Sequence, residues 1–444
     1  IFGIVGVSLV LVSISTTIAD AGFSNALIRK SEVRPIEYST IFLLNMTIAG
    51  AIYAVLFFSA PLIATYYRIE LLTPVVRAMG ISILFAASAV VVKARLTRQM
   101  DFKTQAIASL TSSLVSAAVG LYMVYHDGGI WSLVAQQLIR QSLYAIGLFV
   151  LTRYSFSFHY SHAAARELFA FGSRILFSSL LTAVYNNLYY FVIGKVYSPR
   201  QLGLYSRAEQ FSLMIALNFT LVLQRVSLPA LTKNKNDGQK LESVFQRLYK
   251  FSALLGSLFL FSLAAMADNF TYVVVGKQWM PSAPMLSILA IYSAFPPIIA
   301  LHQNLLQVRG ESKLFMRLEV LKTFLSACIV AIAIWIDFYA LLGGIVLIGV
   351  LSLGINGYWG SKFLPTYKQF KQIKDTLYYF LISSFVAFIV FLSSKLAITP
   401  SSKLGIQIAV FTLISLFLFT FVLKGERQML KQIVRPSVKN EEQQ

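Results

Sequence analysis

Long apolar runs, separated by short polar segments, follow one another along the whole chain. A helix that spans a membrane needs about 20 mainly apolar residues, and each run is long enough to form one. The polar segments carry the proline, glycine and asparagine residues typical of turns. The pattern predicts an all-α polytopic membrane protein with thirteen spanning helices near 1–28, 38–64, 75–92, 104–125, 130–152, 169–196, 203–231, 248–267, 285–308, 314–336, 340–361, 376–394 and 404–423.

Two stretches about 200 residues apart resemble each other. FGIVGVS at 2–8 matches LGLYSRA at 202–208, and NALIRK at 25–30 matches PALTKN at 229–234. The second copy follows the predicted helix 169–196, whereas no helix precedes the first copy in this chain. We therefore expect one further helix before residue 1, giving fourteen helices in the full protein. Repeated halves of this kind are typical of transporters, which bind substrate at the repeat interface.

The repeat predicts the domain organisation. We expect two pseudo-symmetric six-helix bundles, a final helix pair and a cytoplasmic tail. Their predicted bounds are 1–152 (lacking its first helix), 169–361, 376–423 and 424–444.

Basic residues are concentrated in alternate loops. One set of loops and the tail carries 25 Lys and Arg residues, and the other set carries six. Because cytoplasmic loops are enriched in Lys and Arg, the first set is predicted to be cytoplasmic. This orientation places the C-terminus inside the cell and predicts a multi-pass protein of the bacterial inner membrane.

Composition agrees with this interpretation. Hydrophobic residues make up 57% of the 444 residues and charged residues only 13%, whereas soluble domains carry about 25% charged residues. The net charge of +20 is explained by the loops, so no nucleic-acid partner is expected. The single cysteine, Cys328, and four scattered histidines do not have the spacing of a metal site, and no metal or organic cofactor is expected.

Three stretches carry a resemblance to a known family. FGIVGVSLVLVSISTTIADAGFSNALIRK at 2–30, FGSRILFSSLLTAVYNNLYYFVIGKVYSPRQLGLYSRAEQF at 171–211 and VGKQWMPSAPMLSILA at 275–290 resemble Wzx-type polysaccharide flippases. These proteins belong to the multidrug/oligosaccharidyl-lipid/polysaccharide exporter superfamily. In many relatives an acidic residue follows the asparagines of the seventh helix, but here Leu188, Tyr189 and Tyr190 follow Asn187. An ion-coupling role at that position is therefore not expected.

The resemblance implies a function. The chain is expected to carry undecaprenyl-pyrophosphate-linked oligosaccharide repeat units across the membrane by alternating access, with H⁺ or Na⁺ as coupling ion. Membrane lipids, a polysaccharide polymerase and a chain-length regulator are the expected partners.

Five arginines fall inside predicted spans: Arg77, Arg140, Arg174, Arg207 and Arg225. An arginine at a helix centre costs about 2.5–3.5 kcal/mol on insertion scales, and its planar guanidinium suits phosphate oxygens. Arg140 is the deepest, and Gln136 and Gln137 share its side of the helix; a buried arginine paired for packing is the alternative. The other four are close enough to helix ends to reach the headgroups.

The resemblance favours residues on the seventh and eighth helices, which line the cavity in that superfamily. The predicted substrate-binding residues are Arg140, Arg174, Arg207, Arg225, Asn186 and Asn218. Intramembrane asparagines can also join helices.

Three acidic residues lie within spans. Glu319 and Lys322 are three residues apart and are predicted to pair. Asp20 and Glu209 are candidates for ion coupling or for a gate. For Asp20 we favour a gate or packing role, in which it pairs with Arg29, Lys30 or an arginine of the cytoplasmic gate.

Other functions stay open. A multidrug exporter of the same superfamily would favour acidic or aromatic cavities, whereas arginines outnumber acids here. A lipid II flippase would fit the arginines equally well, since its cargo carries the same diphosphate. A membrane-embedded polysaccharide polymerase or ligase would need catalytic residues outside, but the longest outside segment, 268–284, holds one Asp, one Lys and no His. A structural scaffold would not need the arginines.

Overall fold

The computed structural model describes residues 2–20, 23–24, 27, 33–99, 101–153, 159–166, 180, 187–396, 399–418 and 420. Within these residues every regular element is a helix and no strand occurs. Ten helical segments of this part of the chain are long and apolar enough to cross a membrane. The protein is therefore a multi-pass helical membrane protein.

The chain folds into two compact units, residues 1–206 and 207–444. The boundary between them lies within one long helix, α7 (Pro199–Lys233). The helices that precede α7 in the described residues are α1 (Phe2–Asp20), α2 (Pro35–Tyr67), α3 (Leu72–Arg98), α4 (Phe102–Tyr125), α5 (Gly129–Thr152) and α6 (Leu188–Val192, extended by a π-helical turn Ile193–Tyr197). The predicted division into two bundles and a helix pair stays a prediction, and the predicted tail 424–444 lies outside the described residues.

The second unit continues with seven further helices within the described residues. They are α8 (Gly238–Phe270, followed by a π-helical turn Thr271–Val275), α9 (Ala283–Ser293, preceded by a 3₁₀ helix Lys277–Ser282), α10 (Phe295–Val308), α11 (Ser312–Ala333), α12 (Phe338–Ser361), α13 (Gln369–Ser393, ending in a 3₁₀ turn Ser394–Leu396) and α14 (Pro400–Phe417).

Small residues allow helices of the first unit to pack closely. On α4 the buried positions Ala108, Ser112, Ser116 and Gly120 recur every four residues and form one face. A Cβ added at Gly147 of α5 would lie 3.4 Å from the Cβ of Ala108. Because lipid gives no hydrophobic drive for helix association, such small-residue faces let van der Waals contacts join membrane helices. They fix α5 against α4.

The core of the second unit surrounds α8. Leu241, Phe245 and Leu254 of α8 are fully buried, as are Leu301 and Leu305 of α10. By contrast, large apolar side chains such as Trp335 and Leu381 are exposed. Exposed apolar side chains are the expected outer surface of a helix bundle that faces lipid.

The predicted run 285–308 is interrupted. It forms α9 and α10, which meet at Ala294. Pro296 and Pro297 follow at once, and a proline removes a backbone N–H and clashes with the preceding turn. The prolines therefore begin a new helix here instead of continuing α9.

The exact number of membrane spans stays a prediction. The predicted run 130–152 forms α5 and the run 314–336 lies largely in α11, but neither is among the ten segments that are long and apolar enough to cross a membrane. Most of the run 169–196 lies outside the described residues. α5 is less apolar because it carries Gln136, Gln137, Arg140 and Gln141, which are also the residues of greatest functional interest.

Candidate substrate cavity of the first unit

One face of α1 lines a cavity within the first unit. Gly6, Leu9, Ser13 and Thr16 follow one another at three- or four-residue spacing, which places them on one side of the helix. The cavity has a volume of about 440 Å³. Its other lining residues are Val10 and Val12 of α1, Ser82 and Ala86 of α3, Gln137 and Gln141 of α5, and Asn187 and Tyr190 at the start of α6.

The cavity wall mixes apolar and neutral polar side chains, and none of the described residues that line it is charged. Two of its hydroxyls are bonded to their own helices: Thr16 donates to the Ser13 carbonyl at 2.9 Å, and Ser82 donates to the Met79 carbonyl at 2.6 Å. Serine and threonine commonly bond in this way within helices. These two hydroxyls are therefore already partnered.

Two other polar groups of the wall are free to bind a ligand. Within the described part of the chain, the side chains of Ser13 and Gln141 make no hydrogen bond, and Ser13 is exposed. The Gln141 amide offers two donors and an acceptor, and the Ser13 hydroxyl can donate and accept. Together they match the hydroxyl groups of a carbohydrate.

Arg140 lies beside this wall. Its Nη2 donates to Oε1 of Gln137 at 3.0 Å, and the arginine side chain is exposed. No acidic residue that the structure describes forms an ion pair with it. The guanidinium keeps most of its five donors available, next to a wall whose described polar groups are all neutral.

Gln136 faces a different neighbour. A Cβ added at Gly120 of α4 would lie 3.3 Å from the Gln136 Cβ, so this glutamine packs against α4. Gln137 and Gln141, one helical turn apart, line the cavity instead. On α5, therefore, Gln136 faces the neighbouring helix, whereas Gln137 and Gln141 face the cavity. The prediction that Arg140 and Gln137 share a side of the helix is confirmed by their hydrogen bond.

Of the other predicted substrate-binding residues, Arg207 and Asn218 are described and are not part of this cavity wall. Arg207 donates from Nη1 to Gln210 Oε1 at 2.9 Å and stands 5.3 Å from the ring of Trp279. Asn218 Nδ2 donates to the Met214 carbonyl of its own helix at 2.7 Å. Both lie in the second unit. Arg174 and Asn186 lie outside the described residues, as does the side chain of Arg225 on α7.

Asp20 ends the cavity-lining helix. It lies one turn beyond Thr16, and its Oδ1 accepts hydrogen bonds from the Ser24 backbone N–H at 3.1 Å and the Ser24 hydroxyl at 2.8 Å. Arg29 and Lys30 lie outside the described residues. The pairing of Asp20 with either of them, and its gate or coupling role, therefore stay predictions.

The remaining acids belong to the second unit. Glu209 lies on α7, where its backbone carbonyl accepts a hydrogen bond from the Ser212 hydroxyl; its gate or coupling role stays a prediction. The predicted pairing of Glu319 with Lys322 is confirmed. Gln303 also donates to Glu319, at 2.8 Å.

Ser13, Thr16 and Gln141 were not predicted as cavity residues. Their spacing is visible in the sequence: Gln141 stands one residue after Arg140 and one turn after Gln137, and Ser13 and Thr16 share a helical face. This spacing does not by itself indicate a cavity, because serine and threonine occur widely in membrane helices.

Comparison with known families shows which family the chain belongs to. A family model described as "Polysaccharide biosynthesis protein" matches residues 1–284. The chain belongs to this family of polysaccharide biosynthesis proteins. The matched region includes the whole wall of the cavity. The predicted membership in the polysaccharide branch of the exporter superfamily is confirmed.

Two curated relatives are similar over most of the chain. Teichuronic acid biosynthesis protein TuaB of Bacillus subtilis (strain 168) is 26% identical over 67% of this chain and 62% of its own length. Lipopolysaccharide biosynthesis protein WzxC of Escherichia coli (strain K12) is 23% identical over 73% of this chain and 66% of its own length. The chain therefore spans a little under two thirds of the length of these relatives.

A solved structure shares the fold. The lipid II flippase MurJ in an inward closed conformation superposes with a TM-score of 0.70, covering 95% of this chain and 92% of that one, at 14% sequence identity. At this identity the likeness concerns the fold alone.

Proposed function

We propose that this protein is a flippase that moves undecaprenyl-pyrophosphate-linked oligosaccharide repeat units across the bacterial inner membrane, with its C-terminus in the cytoplasm. It works by alternating access of its two repeat-related halves, and H⁺ or Na⁺ is the coupling ion. Membrane lipids surround it, and a polysaccharide polymerase and a chain-length regulator act beside it. The observation that carries the proposal is a cavity with neutral polar groups, bordered by an arginine that pairs with no acid among the described residues, in a member of a polysaccharide biosynthesis family.

The cavity suits the sugar part of this cargo. Sugar hydroxyls both donate and accept hydrogen bonds, so they need neutral groups that do the same. Gln141 and Ser13 supply such groups without a competing partner. Tyr190 adds an aromatic ring to the wall, and aromatic faces provide rigid contact area for ligands.

Arg140 suits the diphosphate. An exposed arginine at membrane depth is tolerated where it faces water, which is the environment of a transport pathway. Its planar guanidinium binds phosphate oxygens through paired hydrogen bonds and stays charged at any physiological pH. We therefore assign Arg140 to the charged headgroup and the glutamine wall to the adjacent sugars.

The wall chemistry disfavours the export of cationic drugs. A site for such compounds needs a carboxylate or an exposed aromatic cage, whereas the described residues that line this cavity include no acid and a single aromatic ring, that of Tyr190. Lipid II carries the same diphosphate, so Arg140 does not distinguish it from a lipid-linked repeat unit, and the vesicle assay below compares the two cargoes. The names of the similar proteins, which refer to teichuronic acid and lipopolysaccharide, support the polysaccharide branch.

The test compares two glutamines of one helix. In a strain lacking the chromosomal gene, Gln141→Leu should strongly reduce surface polysaccharide, because it removes the free amide from the wall. Gln136→Leu is the matched control, since this residue packs on α4 and not on the cavity. Both variants should reach the membrane in wild-type amounts, as measured by immunoblotting.

A second arm identifies the cargo. Inside-out vesicles from the same strains are given a fluorescent lipid-linked repeat unit or fluorescent lipid II, and protection of each from an external quencher is measured. The proposal expects transport of the repeat unit, loss in Gln141→Leu and retention in Gln136→Leu. Equal transport by both variants, or transport of lipid II alone, would contradict it.

A further inference from the structure

A fully buried histidine joins two helices of the second unit. His302 on α10 is 0% exposed. Its Nε2 lies 2.9 Å from Oε1 of Gln372 on α13, and its Nδ1 lies 3.2 Å from the carbonyl oxygen of Ile298, one turn earlier on α10. Gln372 is itself 1% exposed, so neither side chain has water as an alternative partner.

Both ring nitrogens face hydrogen-bond acceptors. The Ile298 carbonyl can only accept. The orientation of the Gln372 amide is set by its other end, because its Nε2 donates to the Tyr367 carbonyl at 3.0 Å. Turning the amide over would place Oε1 against that carbonyl oxygen, so Oε1 must face the histidine. A neutral imidazole has one N–H and satisfies one of the two acceptors, whereas an imidazolium has two and satisfies both.

The ring cannot turn away from this arrangement. A Cβ added at Gly360 of α12 would lie 2.7 Å from Cδ2 of His302, so the backbone of α12 already touches the ring edge. On the other side the rings of Phe245 and Tyr249 stand edge-on at 5.3 and 5.5 Å between centroids. Close packing therefore holds both nitrogens against their acceptors.

The charged and titratable groups around His302 come from each neighbouring element. α8 contributes Tyr249, whose hydroxyl is 2.7 Å from Thr376 Oγ1. α11 contributes Lys322, which is paired with Glu319, and α12 contributes only backbone and glycine at this point.

Tyr367 and Asp375 lie beyond the direct partners of His302: the Tyr367 ring packs on Tyr249, and its carbonyl accepts from Gln372. The Tyr367 hydroxyl donates to Asp375 Oδ2 at 2.7 Å, and Lys250 Nζ lies 3.6 Å from the same oxygen. Burial, together with the bond to Asp375, raises the pKa of Tyr367, so this phenol stays a neutral donor. No carboxylate of the described residues forms an ion pair with His302.

From this geometry we propose that His302 is a proton-binding site that couples protonation to the contact between α10 and α13. The protonated ring donates Nδ1–H to Ile298 and Nε2–H to Gln372. The Ile298 carbonyl also accepts a backbone N–H of its own helix, so the neutral ring, which keeps one N–H for Gln372, leaves neither acceptor unmatched. The protonated ring adds a charge in a region that excludes water, and no carboxylate of the described residues pairs with it, so the charged form is costly here. Protonation therefore favours opening of the α10–α13 contact, and deprotonation favours the closed contact. The site goes beyond the proposed function, because it does not depend on which cargo is carried.

Histidine-selective ¹⁵N NMR of the full chain in lipid nanodiscs tests this site. The chain has four histidines, and His126, His159 and His162 are exposed and serve as internal references. His302→Asn assigns the fourth pair of signals. We expect the His302 ring to show two protonated nitrogens at the acidic end of a titration and one at the basic end.

Variants of Gln372 decide whether the geometry is responsible. Gln372→Met removes the acceptor at Nε2 and should move the titration midpoint of His302 to lower pH by about one unit or more, since a hydrogen bond to a charged group is lost. Gln372→Glu should move it to higher pH. Gln369→Met is the matched control, because Gln369 lies on the same helix and bonds to the Gly354 carbonyl instead.

The outcomes are distinguishable. A single neutral tautomer of His302 throughout the titration would overturn the proposal, and so would midpoints unchanged in both Gln372 variants. If Gln372→Met does not fold, the isosteric Gln372→Glu variant still decides the point. Failure here leaves the cargo assay of the first unit untouched, because none of these residues lines the cavity.

Discussion

Replacing Arg140 by leucine should ease membrane insertion while reducing transport. Arg140 stands eleven residues after the start of α5 and twelve before its end, which corresponds to about 16 and 18 Å at a rise of about 1.5 Å per residue. The hydrocarbon core is about 30 Å thick. Arg140 is therefore near the middle of the membrane, beyond easy reach of either headgroup layer.

The insertion effect follows from this depth. On insertion scales a central arginine costs about 2.5–3.5 kcal/mol and a central leucine contributes about −0.3 to −0.6 kcal/mol. Arg140→Leu should therefore make insertion of α5 more favourable by about 3–4 kcal/mol. The one hydrogen bond lost, to Gln137, joins residues of the same helix, so its removal leaves no broken contact between helices.

The transport effect has the opposite sign. A hydrogen bond to a charged group contributes about 1.5–3 kcal/mol, so loss of the contact with the diphosphate should weaken cargo binding by about 10- to 100-fold. Arg140→Lys keeps a charge but not the planar fork, and it should give an intermediate loss.

Two assays separate these effects. Insertion of α5 is measured by glycosylation mapping of the isolated segment, and transport by the vesicle assay. Gln136→Leu is again the control, since it also raises the apolarity of α5 but leaves the cavity intact. The reasoning would be refuted if Arg140→Leu transported normally, or if it lost transport only because the folded protein disappeared from the membrane.

Three further outcomes are expected from thermal unfolding in detergent. Gly3→Ala should lower the free energy of unfolding by about 1–3 kcal/mol, as for overpacking generally, because a Cβ there would overlap the carbonyl oxygen of Pro199 in α7. Gly50→Ala, which meets nothing within 4 Å, is the control. Glu319→Gln should lower the free energy of unfolding by about 1–3 kcal/mol, because Lys322 loses a charged partner whose side chain is 40% exposed, and adding Lys322→Met should recover most of this loss. Asp237→Ala should lower the unfolding temperature at neutral pH. In the wild type, a hydrogen bond from a backbone N–H of the first turn of α8 holds the pKa of the Asp237 carboxyl below its ordinary value. The stabilisation from this bond is therefore present above about pH 4 and is lost as the pH falls through the folded-state pKa. A wild-type-minus-variant difference that did not shrink in acid would contradict the last expectation.

Local features of the fold could be predicted from the sequence. The apolar runs located the helices, because helix formation in lipid depends on length and apolarity that any window of residues displays. The pairs Glu319–Lys322 and Gln137–Arg140 were predictable for the same reason, since residues three apart on a helix are always neighbours. The quoted stretches at 2–30, 171–211 and 275–290 indicated the family that the family model confirms.

The cavity could not be predicted in the same way. Ser13 and Gln141 are 128 positions apart in the sequence, and only the packing of α1, α3, α5 and α6 makes them walls of one space. The sequence also did not distinguish Gln136 from Gln137. That distinction depends on Gly120 of α4, which sets the face that α5 turns to its neighbour.

The sequence by itself thus determined the class of protein, its helices, its charge asymmetry and its local side-chain pairs. Tertiary structure alone decided which polar groups have partners: in the described chain the Gln141 side chain makes no hydrogen bond, Arg140 bonds to Gln137 but to no acid, and His302 is held between two acceptors. The physical reason is that hydrogen-bond satisfaction is a property of three-dimensional neighbours. The residue type fixes which hydrogen-bond donors and acceptors a side chain has, and the packing decides which of these groups already have a partner.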